Sequence, residues 1–184
     1  MPLLTSVDHA SAQGKAKDLL DAVKQAMGST PNIFTAFANA PAAMEGYLNF
    51  NGALASGALD AKLREKLALV TAGANGCDYC ASAHTFLGDK AGIEAGELAS
   101  NLSGQSSDAK DQAALTFASK LIATRGRVSE SDVAAVRSAG FSDEEVIEIL
   151  AHVALNIFTN YFNEAFQTMN DFPAVSTKST HQAA

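Results

Sequence analysis

Apolar residues recur at helical spacing along almost the whole chain, and this pattern restricts the fold more than any other feature of the sequence. No convincing run alternates between apolar and polar residues with the period of two that a half-buried strand requires. Only four prolines are present, so few positions interrupt a helix. The sequence therefore predicts an all-α fold.

The length and charge of the chain limit the class of protein. A chain of 184 residues, 47% of them hydrophobic, suits one domain with a substantial core and is short for two. We predict a single helical domain over residues 1–184, with a frayed end from about Ser176. The net charge of −7, without a block of lysines or arginines, excludes the electrostatic footprint of a nucleic-acid-binding protein. No secretory signal or membrane span is recognisable, so we expect a soluble cytoplasmic protein.

Glycines and prolines divide the first third of the chain into helices. A first helix is predicted from Ser11 to Met27, where Gly28 can end it, and a short second helix follows Pro31. A third helix begins at Pro41 and continues to about residue 56. These boundaries follow from local residue preferences alone.

The middle of the chain predicts a helical hairpin. Asp60 caps a helix that carries Glu65 and ends between Gly73 and Gly76. The next helix begins around Cys77 and extends to about residue 91. The two cysteines therefore lie at the N-terminus of the second helix of the hairpin.

Three further helices are predicted after a polar loop over residues 101–107. One covers residues 108–124, and a short one, capped by Ser129, ends before Gly140. Ser142 and Glu145 form a capping-box pattern at the start of a long apolar helix.

A weak internal echo appears when the sequence is shifted by 83 positions, so that Glu65 pairs with Glu148 and Val70 with Val153. If the echo is real, the fold contains two related helical units, and the second keeps the hairpin but carries no thiols. The same shift pairs Cys77 with Asn160, Cys80 with Asn163, and His84 with Gln167.

The only two cysteines of the chain lie in the sequence Cys77-Asp-Tyr-Cys80, and His84 follows one helical turn later. These three side chains would project from one face of a helix, and Glu65 would reach them from the preceding helix. A thiol reacts as its thiolate, which is a minority form near neutrality at an ordinary pKa of about 8.5. A helix N-terminus favours a thiolate at either cysteine, while His84 can take or relay the proton and Glu65 can orient the imidazole.

Two thiols at this spacing suit peroxide or disulfide chemistry. A thiolate that attacks a peroxide becomes a sulfenic acid, and a neighbouring thiol converts that acid to a disulfide with loss of water. The disulfide must then be reduced by an external dithiol. The pair therefore predicts both a hydroperoxide substrate and a reducing partner.

The four residues resemble the motif of the alkylhydroperoxidase D and carboxymuconolactone decarboxylase superfamily. In that motif a glutamate lies twelve positions before a Cys-x-x-Cys pair, and a histidine lies four positions after it, as Glu65, Cys77, Cys80 and His84 do here. Two further segments resemble peroxidase-related members, so that the resemblance covers roughly residues 30–173. These segments are Thr30-Pro-Asn-Ile-Phe and Leu155-Asn-Ile-Phe-Thr-Asn-Tyr-Phe-Asn163.

The resemblance implies an alkylhydroperoxidase D-like helical bundle that assembles into trimers or hexamers and needs no cofactor or metal. It implies a peroxidase in which Cys80 meets the hydroperoxide, Cys77 resolves the sulfenic acid, and His84 and Glu65 relay the proton. Where alkylhydroperoxidase D has a histidine between the cysteines, this chain has Tyr79. The decarboxylase branch acts on a lactone acid without this cysteine pair, so the presence of both thiols favours the redox branch.

Other interpretations of the motif remain open. The cysteines could be two small buried residues near a turn, or a zinc site with the histidine and glutamate, although structural zinc usually draws its ligands from separated pairs. A lactone decarboxylase, another thiol oxidoreductase, or a non-enzymatic redox-sensing module could also use the same scaffold.

Four polar residues interrupt the long apolar helix near the end of the chain. Buried amides must find hydrogen-bond partners, so we expect Asn156, Asn160 and Asn163 to bond other helices or a subunit in preference to lining a pocket. His152 is expected to be a hydrogen-bonded histidine of the core.

Overall fold

Helices form all the regular secondary structure in residues 1–178, which are the residues that the computed structural model describes. No β-strand occurs in this range, so the all-α prediction is confirmed. The helices are α1 (Gly14–Met27), α2 (Asn32–Phe37), α3 (Pro41–Ala55), α4 (Ala61–Asn75), α5 (Asp78–Lys90), α6 (Ala95–Asn101), α7 (Ala109–Thr124), α8 (Glu130–Ser138) and α9 (Asp143–Phe166).

The predicted helix caps are present. Asp60 begins α4 by accepting a hydrogen bond from the Leu63 amide at 2.9 Å, and Pro41 is the first residue of α3. Ser142 and Glu145 form the predicted capping box of α9. Each cap satisfies amide groups that have no partner inside the helix, which explains why these boundaries could be read from local sequence.

The structure differs from the predictions in one helix boundary and in one additional helix. α1 begins at Gly14 because the preceding residues form a separate turn, in which the Ser11 hydroxyl donates to the Asp8 carboxylate at 3.0 Å. The short helix α6 was not predicted. It lies between Gly92 and the polar loop, and its apolar contact with the core rests mainly on Leu98.

α4 lies at the centre of the bundle and packs against α5, α7 and α9. Leu69 contributes to one apolar cluster, which also contains residues of α1, α2 and α5. Leu67 contributes to a second cluster, which contains residues of α7, α8 and α9. A helix that is buried on more than one side must be apolar around most of its circumference, as α4 is. This packing holds the backbone at Glu65 in a fixed position.

The second hairpin that the internal echo predicted is absent, because α9 is one continuous helix. In the first unit, Gly76 ends α4 in the left-handed conformation, at a φ of 71°. The echo places Thr159 at that position, and a β-branched residue strongly disfavours this conformation. The chain therefore continues as a helix through the position where the turn was expected.

The segment after α9 lies across the start of α5. Thr177 falls in the predicted frayed end, but it is buried, and its amide and hydroxyl both donate to the Asp78 carboxylate at 2.8 and 2.7 Å. The amide of Val175 likewise donates to the Ser82 hydroxyl at 2.9 Å. Residues 179–184, the remainder of the predicted frayed end, lie outside the described residues.

Candidate active site

The turn between α4 and α5 fixes the position of both cysteines. Cys77 is the N-cap of α5, and its sulfur accepts a hydrogen bond from the Cys80 amide at 3.3 Å. The Cys77 amide in turn donates to the Ala72 carbonyl at 3.0 Å. Cys80 therefore lies in the first turn of α5, where unpaired amides and the helix dipole favour a negative charge.

The two sulfur atoms are neighbours in the folded chain. Both cysteines are free thiols, and their Sγ atoms lie 2.8 Å apart. Cys77 is completely buried, whereas Cys80 is 2% exposed and lines a pocket that opens toward solvent. The structure thus gives the two thiols different access to a small molecule.

The electrostatic environment of the two thiols also differs. The hydrogen bond from Cys77 lowers the pKa of Cys80 to about 7 despite burial, and the charge of His84 and the Asn163 amide act in the same direction. The same hydrogen bond, together with burial, raises the pKa of Cys77 far above its usual range. Cys80 is therefore the thiol that ionises more readily, and Cys77 is the thiol that donates to it.

His84 and Glu65 form a hydrogen-bonded pair beside the thiols. His84 Nδ1 lies 2.7 Å from the Glu65 carboxylate, which reaches it from α4, as the sequence predicted. Burial disfavours the imidazolium, but the charge and hydrogen bond of Glu65 outweigh this effect and raise the pKa of His84. His84 lines the same pocket as Cys80, and their interaction in the described structure is between charges, without a direct hydrogen bond.

The pocket at Cys80, which we call the thiol pocket, has a volume of about 80 Å³. Its walls are mainly apolar and aromatic side chains from α2, α3, α5 and the segment after α9. The residues that line it are Met27, Pro31, Ile33, Phe34, Tyr47, Tyr79, Cys80, Ala83, His84, Leu87, Thr159, Asn163 and Phe172. A pocket of this kind suits a small and largely apolar molecule.

Asn163 has a role in the site that the sequence analysis did not favour. Its side-chain amide donates to Cys80 Sγ at 3.2 Å, so it lines the thiol pocket as well as bonding another helix. Asn160 follows the expectation, because it accepts a hydrogen bond from the Asn75 amide of α4 at 2.9 Å. Asn156 donates within its own helix, to the His152 carbonyl. The only sequence signal for Asn163 was its pairing with Cys80 in the internal echo.

Tyr79 is part of the wall of the pocket and does not act as a titrating group. Its hydroxyl accepts a hydrogen bond from the Ile33 amide at 3.3 Å, and its ring meets Phe172 edge to face. Burial raises the pKa of Tyr79 well above its usual range. The position that carries a histidine in alkylhydroperoxidase D therefore supplies packing here.

Comparison with known proteins agrees with this geometry. The sequence model of the Carboxymuconolactone decarboxylase family matches residues 41–123, which include all four motif residues. This match supports the resemblance of the chain to the alkylhydroperoxidase D and carboxymuconolactone decarboxylase superfamily. No curated protein matches the chain in sequence.

Several solved structures share the fold of this chain. A peroxidase-related protein from Ralstonia eutropha JMP134, described as an alkylhydroperoxidase AhpD core, is 25% identical, with 92% of each chain covered and a TM-score of 0.82. A peroxidase-related protein from Silicibacter sp. TM1040 is 22% identical, with 90% of this chain and 91% of the other covered and a TM-score of 0.77. A variant of the debrominase Bmp8, solved in complex with 2,3,4-tribromopyrrole, is 18% identical, with 99% of this chain and 97% of the other covered and a TM-score of 0.79.

The described residues contain neither a metal-binding cluster nor a membrane-spanning helix. Within residues 1–178, no group of three or more His, Cys, Asp or Glu side chains is arranged to hold a metal ion. In the same range, no helix has the length and apolar character needed to cross a membrane.

Proposed function

We propose that the protein is a thiol-dependent peroxidase that reduces hydrogen peroxide or small organic hydroperoxides. One observation carries the proposal: Cys80, the thiol with the lowered pKa, lines a small apolar pocket, and the buried Cys77 thiol lies 2.8 Å from it. Such a site supplies an accessible thiolate and a second thiol that can react only with the first.

In the first step, the Cys80 thiolate attacks one oxygen of the hydroperoxide. The O–O bond breaks, the sulfur is oxidised to a sulfenic acid, and the second oxygen leaves as an alkoxide or hydroxide. The leaving oxygen takes a proton from the His84 imidazolium, which Glu65 stabilises at 2.7 Å. An alcohol or water is released.

In the second step, Cys77 resolves the sulfenic acid. Its sulfur attacks the Cys80 sulfur, a disulfide forms, and the hydroxyl group leaves as water with the proton of the Cys77 thiol. Together the two steps convert two thiols and one hydroperoxide into a disulfide, water and an alcohol. The Asn163 amide, 3.2 Å from Cys80 Sγ, supports the negative charge of the attacking sulfur.

The cycle requires an external dithiol that reduces the disulfide, and we expect a cytoplasmic location, where such reductants are maintained. We further expect a homo-oligomer, a trimer or a hexamer, and neither a nucleic-acid nor a membrane partner.

The direct test is a count of free thiols in the reduced, metal-free protein before and after one equivalent of cumene hydroperoxide. We expect both thiols to disappear rapidly, and we expect the Cys80→Ser variant to keep its remaining thiol. If the thiols of the unaltered protein survive, the peroxidase proposal is wrong.

A second candidate is a thiol oxidoreductase that acts on a small aromatic compound. The observation that favours it is the set of rings around Cys80, contributed by Phe34, Tyr47, Tyr79 and Phe172. The fold is also shared with a debrominase. Loss of both thiols with a halogenated pyrrole, but not with a hydroperoxide, would select this candidate. A fall in the ultraviolet absorbance of a muconolactone substrate, without thiol oxidation, would instead select a lactone decarboxylase.

A further inference from the structure

A second pocket also has His84 in its lining. We call it the polar chamber; it has a volume of about 190 Å³ and shares only His84 and Tyr47 with the thiol pocket. In contrast to the thiol pocket, it is lined largely by charged and polar side chains. The residues that line it are Tyr47, Asn51, Ala55, Arg64, Glu65, Ala68, His84, His152, Leu155 and Asn156.

The polar chamber extends from solvent to the Glu65–His84 pair. Asn51 and Ala55 are exposed on α3 and form its mouth. Arg64 forms part of its wall, where its guanidinium donates to the Ala55 carbonyl at 2.7 Å. His84 therefore lines both pockets, whereas Glu65 lines only the polar chamber.

His152 is the most informative residue in the chamber. It is only 5% exposed, and its Nε2 atom is buried without a hydrogen-bond partner among the described residues. Burial and the charge of Arg64 lower the pKa of His152 to about 4, against the opposing charges of Glu148 and Glu65. A buried neutral imidazole still requires a hydrogen-bond partner, and a polar cavity of this size is large enough for water molecules that could provide one.

The reductive half of the proposed cycle needs a proton from solvent. An external dithiol attacks as a monothiolate, so one of its two protons has already passed to solvent. The Cys77–Cys80 bond then breaks, a disulfide forms in the dithiol, and two electrons pass to the cysteine sulfurs, while the second thiol of the dithiol gives its proton to the Cys77 sulfur. One further proton must return from solvent to His84, whose imidazolium faces the Cys80 thiolate.

The reductant obstructs the thiol pocket while it reacts. Cys77 is completely buried, so the dithiol must reach the disulfide at Cys80, through the thiol pocket. A proton that travels to His84 during this step therefore needs another route. Resting on the function proposed above, we propose that the polar chamber is that route, and that His152 positions the water through which protons pass from the mouth at Asn51 to Glu65 and His84.

The test measures oxidation and reduction separately in two variants. His152→Ala removes the imidazole, and Asn51→Phe obstructs the exposed mouth of the polar chamber. Each protein is oxidised with one equivalent of hydrogen peroxide, freed of peroxide and mixed with dithiothreitol, and thiol recovery is followed in H₂O and D₂O. We expect both variants to be oxidised at the normal rate but reduced at least about fivefold more slowly, with a larger solvent isotope effect. Imidazole in the buffer should restore reduction in His152→Ala and not in Asn51→Phe.

Asn49→Phe is the matched control, because Asn49 is exposed on the same helix and does not line the chamber. It should be reduced at the rate of the unaltered protein. Normal reduction of both test variants, or equal slowing of oxidation and reduction, would overturn the inference. If hydrogen peroxide fails to oxidise the unaltered protein, the proposed function fails, and the reduction test is then made on protein whose disulfide was formed with diamide.

Discussion

The side-chain amide of Asn163 donates a hydrogen bond of 3.2 Å to the sulfur of Cys80, although the two residues are separated by 83 positions in the chain. Asn163 lies near the end of α9, whereas Cys80 lies in the first turn of α5. The amide therefore reaches the sulfur from a different helix than the one whose N-terminus holds Cys80. A neutral donor at this position stabilises the thiolate without competing with it for a proton.

Asn163→Leu should raise the pKa of Cys80 from about 7, because the thiolate loses this donor. A hydrogen bond to a charged group contributes about 1.5–3 kcal/mol, so we expect a rise of about one to two pKa units and a reaction about 5- to 50-fold slower at pH 7. The pKa can be measured from the rate of thiol alkylation against pH.

Thr159→Val is the control for this measurement. Thr159 lines the thiol pocket from the same helix, but its hydroxyl donates to the Asn156 carbonyl and not to the sulfur. An equal rise of the Cys80 pKa in both variants would mean that altered packing, not the lost donor, causes the change.

Cys77→Ser should separate the attack on peroxide from the resolving step. The serine hydroxyl still donates to Cys80, so the thiolate should form and react once, but no disulfide can follow. We expect one equivalent of hydroperoxide to be consumed and a sulfenic acid to accumulate, detectable by mass spectrometry after dimedone trapping. A variant that turns over repeatedly with a dithiol would show that Cys77 is not needed for resolution.

Glu65→Gln should lower the pKa of His84, since the carboxylate is the group that raises it against the effect of burial. The imidazole would then be neutral at pH 7 and no longer support the Cys80 thiolate. We expect peroxide oxidation to slow about tenfold or more, and His84→Ala to slow it by about 10². Stopped-flow kinetics measure the rate of oxidation, and histidine NMR titration measures the pKa of His84. Glu45→Gln, a surface substitution, is the control.

The Glu65–His84 pair should also make the free energy of unfolding depend on pH. The pKa of His84 in the folded protein lies above its ordinary value of about 6.5. The contribution of the charged pair is therefore fully present below about pH 6.5 and is lost as the pH rises through the folded-state pKa. The difference in the free energy of unfolding between the unaltered protein and Glu65→Gln should shrink from pH 6 to pH 9.

The parts of the fold and site that the sequence predicted are those that depend on near neighbours. Asp60 and Ser142 begin helices because their side chains reach amides three residues away. The four motif residues could be placed together because one tight turn joins the two helices that carry them. Local geometry was sufficient in each case.

The parts that the sequence did not predict depend on contacts between distant elements. The bond from Asn163 to Cys80 and the wall that His152 forms beside Glu65 both depend on how α9 packs against α4 and α5. The echo suggested a second hairpin, but position 159 holds a threonine in place of a glycine, and α9 continues through it as one helix. Asn163 lies on this continuous helix, beside the Cys80 sulfur.

Gly73→Ala should destabilise the protein strongly. A Cβ at this position of α4 would lie 1.9 Å from the carbonyl oxygen of Leu102, which follows α6. Backbone on both sides must move to remove this overlap, so we expect a loss of about 1–3 kcal/mol in the free energy of unfolding. Urea unfolding measures it. Gly52→Ala in α3, where a Cβ meets nothing within 4 Å, should be neutral or stabilising.

Self-association should involve an exposed apolar stripe on α9. Ile147, Leu150, Phe158 and Tyr161 follow one another at helical spacing on one side of the helix, and Ile147 and Tyr161 are 65% and 61% exposed. Contiguous apolar surface of this kind is costly to leave in water and is typical of protein interfaces. With the exposed Ala154 between Leu150 and Phe158, the stripe has spacings of three and four residues and can pack against the same stripe of a second copy. The proposed homo-oligomer would therefore bury it.

The double variant Ile147→Glu/Tyr161→Glu should lower the molecular mass measured by light scattering toward that of a single chain, because each copy would bring two charges into the contact. Met169→Glu is the matched control, since Met169 is 61% exposed but lies beyond the end of α9. An unchanged mass in the double variant would place the subunit contact on another surface. Because both substituted side chains are exposed, the helical circular dichroism signal should be retained, so that a fall in mass can be assigned to the contact and not to unfolding.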